Sequence, residues 1–439
     1  MHLKLSELSR KQKLYAVLWL AIIVLFICEV IAISLTKGVI FVDDSFDYFT
    51  AYYSFTHGII DLYRTPVYPM IVGPLRGLLG PSSGGVAVVA IQYAAYFVAG
   101  WYLRRIAMKF IGNEWAAICV VGVFLLFPGQ LYYCTMILTE SLTASAVVWF
   151  TWFLVKSAPK LPTAWDSVRT AFWLIFLMLL RPVMIYLVPV TLVFYGYIWW
   201  RNRKSLRSRQ GAVSVACMLL AWCVPVVYTG LMHRAYGLHT MSYIGVINNY
   251  YTVMAIDRHD YYAIDDPHTR DIATFMNSRR LDFASPYDRE GTYWMITYTL
   301  PLANPGQFEK YVNSSLKHSR PQVAEIIKNR VLIVNNLKIN GNSQVPFGQW
   351  LPSFKFYFLT LLVMIVMWVI AWIRTKTVPI EAILLMMITL GLTAATIIGA
   401  MGDWERLTMP GIFAYYLLLA KSLQIFRLRP AWPTALLSA

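Results

Sequence analysis

Ten apolar segments recur along the chain, separated by more polar connections. They cover residues 13–35, 84–103, 114–128, 138–155, 168–181, 183–200, 211–231, 354–373, 378–400 and 408–426. A helix needs about 20 apolar residues to cross the hydrocarbon core of a bilayer, and the segments at 114–128 and 168–181 are short by that measure. The pattern predicts an all-α polytopic membrane protein with about ten transmembrane helices.

Basic residues alternate between the connections in a way that predicts an orientation. They gather in the N-terminal segment, in the connections that follow each even-numbered apolar segment except the last, and in the C-terminal tail. These residues are Lys4, Arg10, Lys11, Lys13, Arg104, Arg105, Lys109, Lys156, Lys160, Arg201, Arg203, Lys204, Arg207, Arg209, Arg374, Lys376, Arg427 and Arg429. Basic loops stay in the cytoplasm, so both termini are predicted to be cytoplasmic.

The same orientation places two long polar segments on the outer side. It divides the chain into a first transmembrane module at 1–231 with an outer loop at 36–83, a mainly helical extracytoplasmic domain at 232–353, and a second transmembrane module at 354–439. Within the outer domain, one apolar set falls at helical spacing, namely Val323, Ile326, Ile327, Val331 and Val334. This spacing predicts an amphipathic helix that packs on the rest of the outer domain or lies at the membrane interface.

Composition supports the membrane assignment. The chain is 58% hydrophobic and 14% charged, whereas soluble domains carry about 25% charged residues. The formal net charge of +16 raises the question of nucleic acid. Because the basic residues flank alternate segments, they fit topology signals and anionic lipid headgroups instead, and no nucleic-acid partner is expected.

Three carboxylates lie in the first outer loop, in the stretch Phe41-Val-Asp-Asp-Ser-Phe-Asp-Tyr48. If a helix begins at Asp44, that residue can cap it, and Asp44, Asp47 and Tyr48 share one face. The helix is predicted to end near His57-Gly58. Crowded carboxylates beside a low-dielectric surface suit a general base or a cation site. An acidic start to an interfacial helix is the structural alternative.

Further charged residues follow on the same predicted side of the membrane. In Arg64-Thr-Pro-Val-Tyr-Pro69 the two prolines are expected to force an extended turn, which turns Arg64 toward the aspartates as an anion contact or a snorkelling side chain. Glu140 begins the fourth segment, where Thr139 or Ser141 is expected to help cap the helix.

Two more arginines lie at later connections on this side, and one acid lies inside a segment. Arg181 lies between the fifth and sixth segments, and Glu405-Arg406 lies between the ninth and tenth. These arginines can contact a phosphate, or they can form simple ion pairs at the membrane interface. Glu29 lies within the first segment, and we expect it to pair within the bundle because an uncompensated charge there is costly.

Several of these motifs resemble those of a known superfamily. Asp44-Ser-Phe-Asp-Tyr48, Ala51, Gly58 and Arg64-Thr-Pro-Val-Tyr-Pro69 resemble the first outer loop of the GT-C glycosyltransferases. The resemblance is strongest to the bacterial protein-mannosyltransferase and aminoarabinose-transferase group, which is like glycosyltransferase family 39. Leu138-Thr-Glu140, Leu180-Arg-Pro182 and Glu405-Arg406 with Pro410 are similar to weaker motifs of that group and occur in the expected order.

The resemblance implies a membrane glycosyltransferase of cell-envelope polysaccharide biosynthesis with an outward-facing site. It implies a sugar donor on a polyprenyl phosphate and a glycan, lipid or protein acceptor. Asp44 matches the position of the general base, and Asp47 is the second catalytic candidate. The substrate-contact candidates are Asp43, Tyr48, Arg64, Tyr68, Glu140, Arg181, Glu405 and Arg406. Many family members carry a longer outer domain after the last span, whereas this chain places its polar segment earlier, at 232–353, and this departure leaves the acceptor class open.

The implied chemistry is inverting transfer of a hexose or pentose. An acceptor hydroxyl loses its proton to Asp44 and attacks the anomeric carbon, and the polyprenyl phosphate leaves, neutralised by Arg64, Arg181 or Arg406. No cofactor is required, although a divalent metal on Asp43, Asp44 and Asp47 is an alternative. Two other classes stay open at this stage. One is a polysaccharide polymerase or ligase that uses lipid-linked oligosaccharides, and the other is a transporter or flippase of lipid-linked sugars, although the paired broken helices typical of transporters are absent.

Overall fold

A computed structural model of the protein describes residues 9–279, 299–335, 357–376, 379–399 and 409–427. These residues form helices and no strand; Ile40 and Met136 form one isolated parallel bridge. The helices are α1 Arg10–Lys37, α2 Asp43–Thr56, α3 Val67–Leu79, α4 Pro81–Phe110, α5 Glu114–Leu125, α6 Pro128–Thr135, α7 Glu140–Ser157, α8 Ala164–Leu180, α9 Leu187–Arg201, α10 Arg209–Tyr236, α11 Tyr243–Met254, α12 Pro267–Ser278, α13 Pro305–His318, α14 Arg320–Asn335, α15 Tyr357–Thr375, α16 Ile380–Gly399 and α17 Ile412–Arg427. The predicted all-α class is confirmed for this part of the chain.

Each of the ten apolar segments overlaps a helix, but ten spans are not confirmed. By length and composition, five of the described helices can cross a membrane, at 10–37, 81–110, 182–201, 209–236 and 380–398. A sixth is added if α5 and α6, which meet at a 45° bend, count as one. Helix α5 has only 12 residues, or about 18 Å at 1.5 Å per residue, which is too short to span alone.

Helix α7 lies at the centre of the bundle, although its sequence is rich in hydroxyl residues. It packs against α4 and α8, and almost every residue from Glu140 to Val155 is buried. Its hydroxyl groups donate to the carbonyl four residues earlier, as Thr143 does to Thr139 and Thr151 does to Val147, each at 2.7 Å. This internal bonding satisfies the hydroxyl groups of Thr143, Ser145 and Thr151, so a Ser- and Thr-rich helix can form the core of the bundle.

The end of the bundle opposite α2 carries the basic connections. The Lys109 ammonium donates to the carbonyls of Val155, Lys156 and Ala158 at 2.5, 2.8 and 3.0 Å. Lys156 in turn pairs with Asp166 at 2.7 Å. The first outer loop with its three aspartates, here called the acidic loop, and these basic connections therefore lie at opposite ends of the bundle. The alternation of basic connections along the sequence requires this arrangement. Which end faces the cytoplasm stays a prediction.

The described part of the segment 232–353 has its own hydrophobic core. Helices α11 to α13 bury a cluster centred on Tyr243, Tyr250 and Phe308, and Leu62 and Tyr63 of the first outer loop pack against it. The amphipathic helix predicted from 320–334 is confirmed as α14, whose Val323 and Ile326 contact the same cluster. This segment thus packs on the end of the bundle that carries the acidic loop. The division of the chain into three modules stays a prediction.

A close approach of two helices fixes the position of the acidic loop. A Cβ atom at Gly73 of α3 would lie 2.1 Å from the ring of Tyr52 in α2, so only glycine permits this packing. The loop is also bonded to the segment before α7, because Ile40 exchanges backbone hydrogen bonds with Thr135 and Ile137 at 3.0 and 3.1 Å. The start of α2 and the start of α7 are thereby held side by side.

Candidate functional site

The carboxylates of the first outer loop occupy the first turns of α2. The helix begins at Asp43, and Ser45 closes its first turn by accepting the N–H of Val42 at 3.0 Å. The prediction that Asp44 caps this helix is therefore wrong, since Asp44 is already its second residue. The predicted end near His57-Gly58 is confirmed, because the helix ends at Thr56 and Gly58 adopts a φ of 74°.

Arg64 holds two of the three carboxylates. Its Nη2 atom lies 2.7 Å from Asp44 Oδ1 and 2.7 Å from Asp47 Oδ2. The side chain of Arg64 is 12% exposed, whereas those of Asp44 and Asp47 are 35% and 51% exposed. The site therefore has a buried cation below and two accessible carboxylates above. Asp43 is also exposed, at the first position of the helix.

Tyr48 lies beneath this pair and connects it to the second part of the site. Its hydroxyl accepts a long hydrogen bond from Arg64 Nη1 at 3.5 Å, and the guanidinium carbon lies 4.7 Å from its ring centroid. The phenol is close enough to Glu140 and Thr139 for both to act on it electrostatically. Burial raises the pKa of Tyr48, and Arg64, which acts in the opposite direction, does not offset it. Tyr48 is thus a neutral, buried phenol between two charged pairs.

The second charged pair joins α7 to the end of α8. Arg181 Nη2 lies 3.2 Å from Glu140 Oε1, and their side chains are 13% and 3% exposed. Thr139 is the N-cap residue of α7, but neither its side chain nor that of Ser141 makes the predicted capping bond. Glu140 instead joins the first turn, where a carboxylate is favoured. The described residues leave Arg64 Nε and Arg181 Nη1 buried without a hydrogen-bond partner.

Three predicted contact residues lie below the surface. Tyr48, Tyr68 and Glu140 are 4%, 1% and 2% exposed, so they support the exposed groups from beneath. Tyr68 packs edge-on against Tyr48 at 4.6 Å between centroids and donates to Gln92 Oε1 at 3.1 Å. Gln92 then donates to the carbonyls of Cys134 and Met136 at 2.9 and 2.8 Å. Sequence reasoning missed Gln92, although a lone amide within an apolar run is a usable signal.

The proline-containing stretch after Arg64 does not form the predicted extended turn. Helix α3 begins at Val67, with Pro66 at its N-cap position and Pro69 in its first turn. Proline is tolerated there because the first N–H groups of a helix need no partner within the helix. The prediction that Arg64 faces the aspartates is nevertheless supported by the two ion pairs.

The remaining candidates fall into two groups. Glu405 and Arg406 lie outside the described residues, so they stay predictions. Glu29 is partly buried in α1, near Tyr93. Its Oε2 atom has no hydrogen-bond partner within the described ranges, and the pairing expected from the sequence is not seen there. The described residues include no group of three His, Cys, Asp or Glu side chains placed to hold a metal ion.

In the described residues, the fold is helical, with helices long and apolar enough to cross a membrane. A cluster of paired Asp, Glu and Arg side chains lies at one end of the bundle. No protein-family model matches the sequence, and no curated protein matches it.

Among solved structures, the chain is similar to the archaeal oligosaccharyltransferase AglB from Archaeoglobus fulgidus, in complex with an inhibitory peptide and a dolichol-phosphate. The TM-score is 0.46 at 8% identity, over 92% of this chain and 50% of that chain. The chain thus spans half the length of that structure.

Proposed function

We propose that this protein is a membrane glycosyltransferase that moves a sugar from a polyprenyl-phosphate donor to an acceptor hydroxyl on the outer face of the membrane. The observation that carries the proposal is the arrangement of Arg64 against Asp44 and Asp47, next to the Glu140–Arg181 pair. Accessible carboxylates supply a base, and partly shielded guanidinium groups supply a binding site for phosphate.

In the proposed reaction, Asp44 removes the proton from the acceptor hydroxyl while the oxygen attacks the anomeric carbon. The bond between that carbon and the phosphate oxygen breaks, and the sugar inverts. The polyprenyl phosphate leaves with both electrons of the bond and is stabilised by the guanidinium groups. Asp44 is preferred over Asp47 as the base because its side chain is the less exposed of the two.

Two hydrogen-bond donors of the site arginines support an anionic substrate. Arg64 Nε and Arg181 Nη1 have no hydrogen-bond partner within the described residues, and a buried donor without a partner costs about 1–3 kcal/mol. A phosphate oxygen that reached them would recover this cost. We extend the phosphate contact to Arg406, which lies outside the described residues.

The location proposed for this reaction follows from topology. The site lies opposite the basic connections, and the positive-inside rule supports an outer face for it and cytoplasmic termini. The membrane that we propose is a bacterial inner membrane. Sugar donors on that side are expected to be lipid-linked. We include no metal in the proposed reaction, because Asp44 and Asp47 both point to Arg64.

Transfer and transport are separated by one experiment. Purified protein in liposomes would receive polyprenyl-phosphate sugar labelled in the sugar, with a mixture of glycan, lipid and peptide acceptors. We expect label in a new covalent product, and none when a nucleotide sugar replaces the lipid donor. Movement of unmodified donor across the bilayer without a product would show a flippase and overturn the proposal.

A further inference from the structure

Asp61 is a buried carboxylate that the proposed reaction does not use. It is 9% exposed, and its Oδ1 atom accepts the backbone N–H groups of Tyr63 and Arg64 at 2.9 and 2.8 Å. The Ser54 hydroxyl lies 3.4 Å from Oδ2, at the end of α2. An aspartate that bonds the N–H groups two and three residues later forms a local turn and fixes the direction of the chain.

The outer segment holds the same turn from its other side. The hydroxyl of Tyr236 donates to the carbonyl of Ile60 at 2.5 Å, and Ser242 donates to the carbonyl of Tyr63 at 2.5 Å. Each bond joins the first outer loop to residues more than 170 positions later in the chain. The turn is thus bonded from both sides, just before Arg64 extends to the carboxylates.

The contact of Arg64 with both aspartates depends on the position of this turn. Its Nη2 atom must lie within 2.7 Å of both Asp44 and Asp47 at once. A long side chain has many rotamers, so such a bifurcated contact requires that the backbone at its root be fixed. The Asp61 carboxylate is the side-chain group that accepts the Arg64 N–H itself.

We propose that Asp61 is a positioning residue, whose carboxylate holds the 61–64 turn and thereby keeps Arg64 against Asp44 and Asp47. Its effect on donor binding rests on the proposed function, but the positioning does not. Asp61 touches no reacting atom and acts only through Arg64.

The positioning is tested by amide hydrogen exchange on the full-length protein in detergent. In Asp61→Ala, we expect the peptide that covers residues 61–66 to exchange about tenfold faster or more, because a charge-assisted bond is lost. Asp61→Asn keeps an acceptor oxygen and should retain protection. Ser54→Ala is the local control and should also retain it. If Asp61→Ala does not fold, Asp61→Ser replaces it, since a serine forms a weaker turn of the same kind, with an intermediate rate expected.

Unchanged protection in Asp61→Ala, or loss of protection in all variants including Ser54→Ala, would overturn the proposal.

A double-mutant cycle then tests whether Asp61 acts through Arg64. We expect Asp61→Ala to raise the KM for the lipid-phosphate donor about tenfold and to change kcat less. The same change in an Arg64→Ala background should raise KM less than about twofold, because residues that act as one unit are not additive. Equal effects in the two backgrounds would show that Asp61 supports the fold in general and refute the proposal. If the wild type transfers no sugar, the proposed function fails, whereas the exchange data still decide the positioning.

Discussion

The Glu140–Arg181 pair is a buried ion pair, and breaking it should be costly. Its two side chains are 3% and 13% exposed, and the charged atoms lie 3.2 Å apart. The substitution Glu140→Gln keeps the size of the side chain and removes its charge. The Arg181 guanidinium then stays in a poorly solvated position without its counter-charge.

The magnitude follows from the geometry. At 3.2 Å and an effective dielectric constant of about 20, two unit charges attract by about 5 kcal/mol before desolvation is counted. Removal of one partner from a buried pair costs about 3–5 kcal/mol, because the other charge is stranded. The Lys310–Asp265 pair is the matched control, since its side chains are 55% and 78% exposed. Asp265→Asn should cost less than about 1 kcal/mol.

Denaturant unfolding in a fixed detergent, followed by tryptophan fluorescence, measures these differences. We expect Glu140→Gln and Arg181→Met each to lower the free energy of unfolding by about 3–5 kcal/mol. The double variant should be less destabilised than the two single losses combined, because neither charge is then stranded. If Glu140→Gln costs no more than Asp265→Asn, the pair is not shielded from solvent and the argument fails.

Three further predictions follow, two from contacts at the site and one from a contact of the outer segment. Arg64→Lys keeps the charge but not the fork of nitrogens, so we expect the KM for the donor to rise about 10- to 100-fold in steady-state kinetics, and an unchanged KM would contradict the phosphate contact. Tyr48→Phe removes the 3.5 Å hydrogen bond from Arg64 and the interaction of the hydroxyl with Thr139; kcat/KM should fall less than about tenfold. Because the pKa of Tyr48 is raised, the neutral phenol persists to higher pH, and the pH–rate profile of Tyr48→Phe should match wild type through pH 9. Arg330 donates to Thr252 Oγ1 at 2.7 Å and to the carbonyl of Ile397 at 3.3 Å, so Arg330→Gln should lower the thermal midpoint by several degrees and Thr252→Val by less.

Local patterns in the sequence were sufficient for much of the site. The spacing of Asp44, Asp47 and Tyr48 predicted a shared helix face, and all three contact Arg64. That spacing could be read because helical periodicity is local. Whether Asp44 caps the helix or is its second residue depends on which side chain closes the first turn. Ser45 closes it by accepting the N–H of Val42, so the helix begins at Asp43.

Long-range contacts could not be predicted in the same way. The pairing of Glu140 with Arg181 joins the first residue of α7 to the C-cap of α8, the next helix along the chain. It depends on the two helices packing antiparallel, and neither motif by itself identifies the other as its partner. Tyr68 was read as a substrate contact because it lies in a motif. It is buried, and its hydroxyl donates to Gln92, which in turn bonds the segment before α7. The number of spans was uncertain for a related reason, since short apolar helices such as α5 look alike whether they cross the membrane or pack inside a bundle.

The role of Asp44 as the base is the central claim, and a single-turnover measurement tests it most directly. Wild type, Asp44→Asn and Asp47→Asn would each be mixed in excess over a labelled polyprenyl-phosphate sugar, with saturating acceptor. Loss of a general base lowers the rate of the chemical step by about 10²–10⁴-fold. We predict a loss of this size for Asp44→Asn, with donor still bound, and a smaller loss for Asp47→Asn. A wild-type rate in Asp44→Asn would contradict the account.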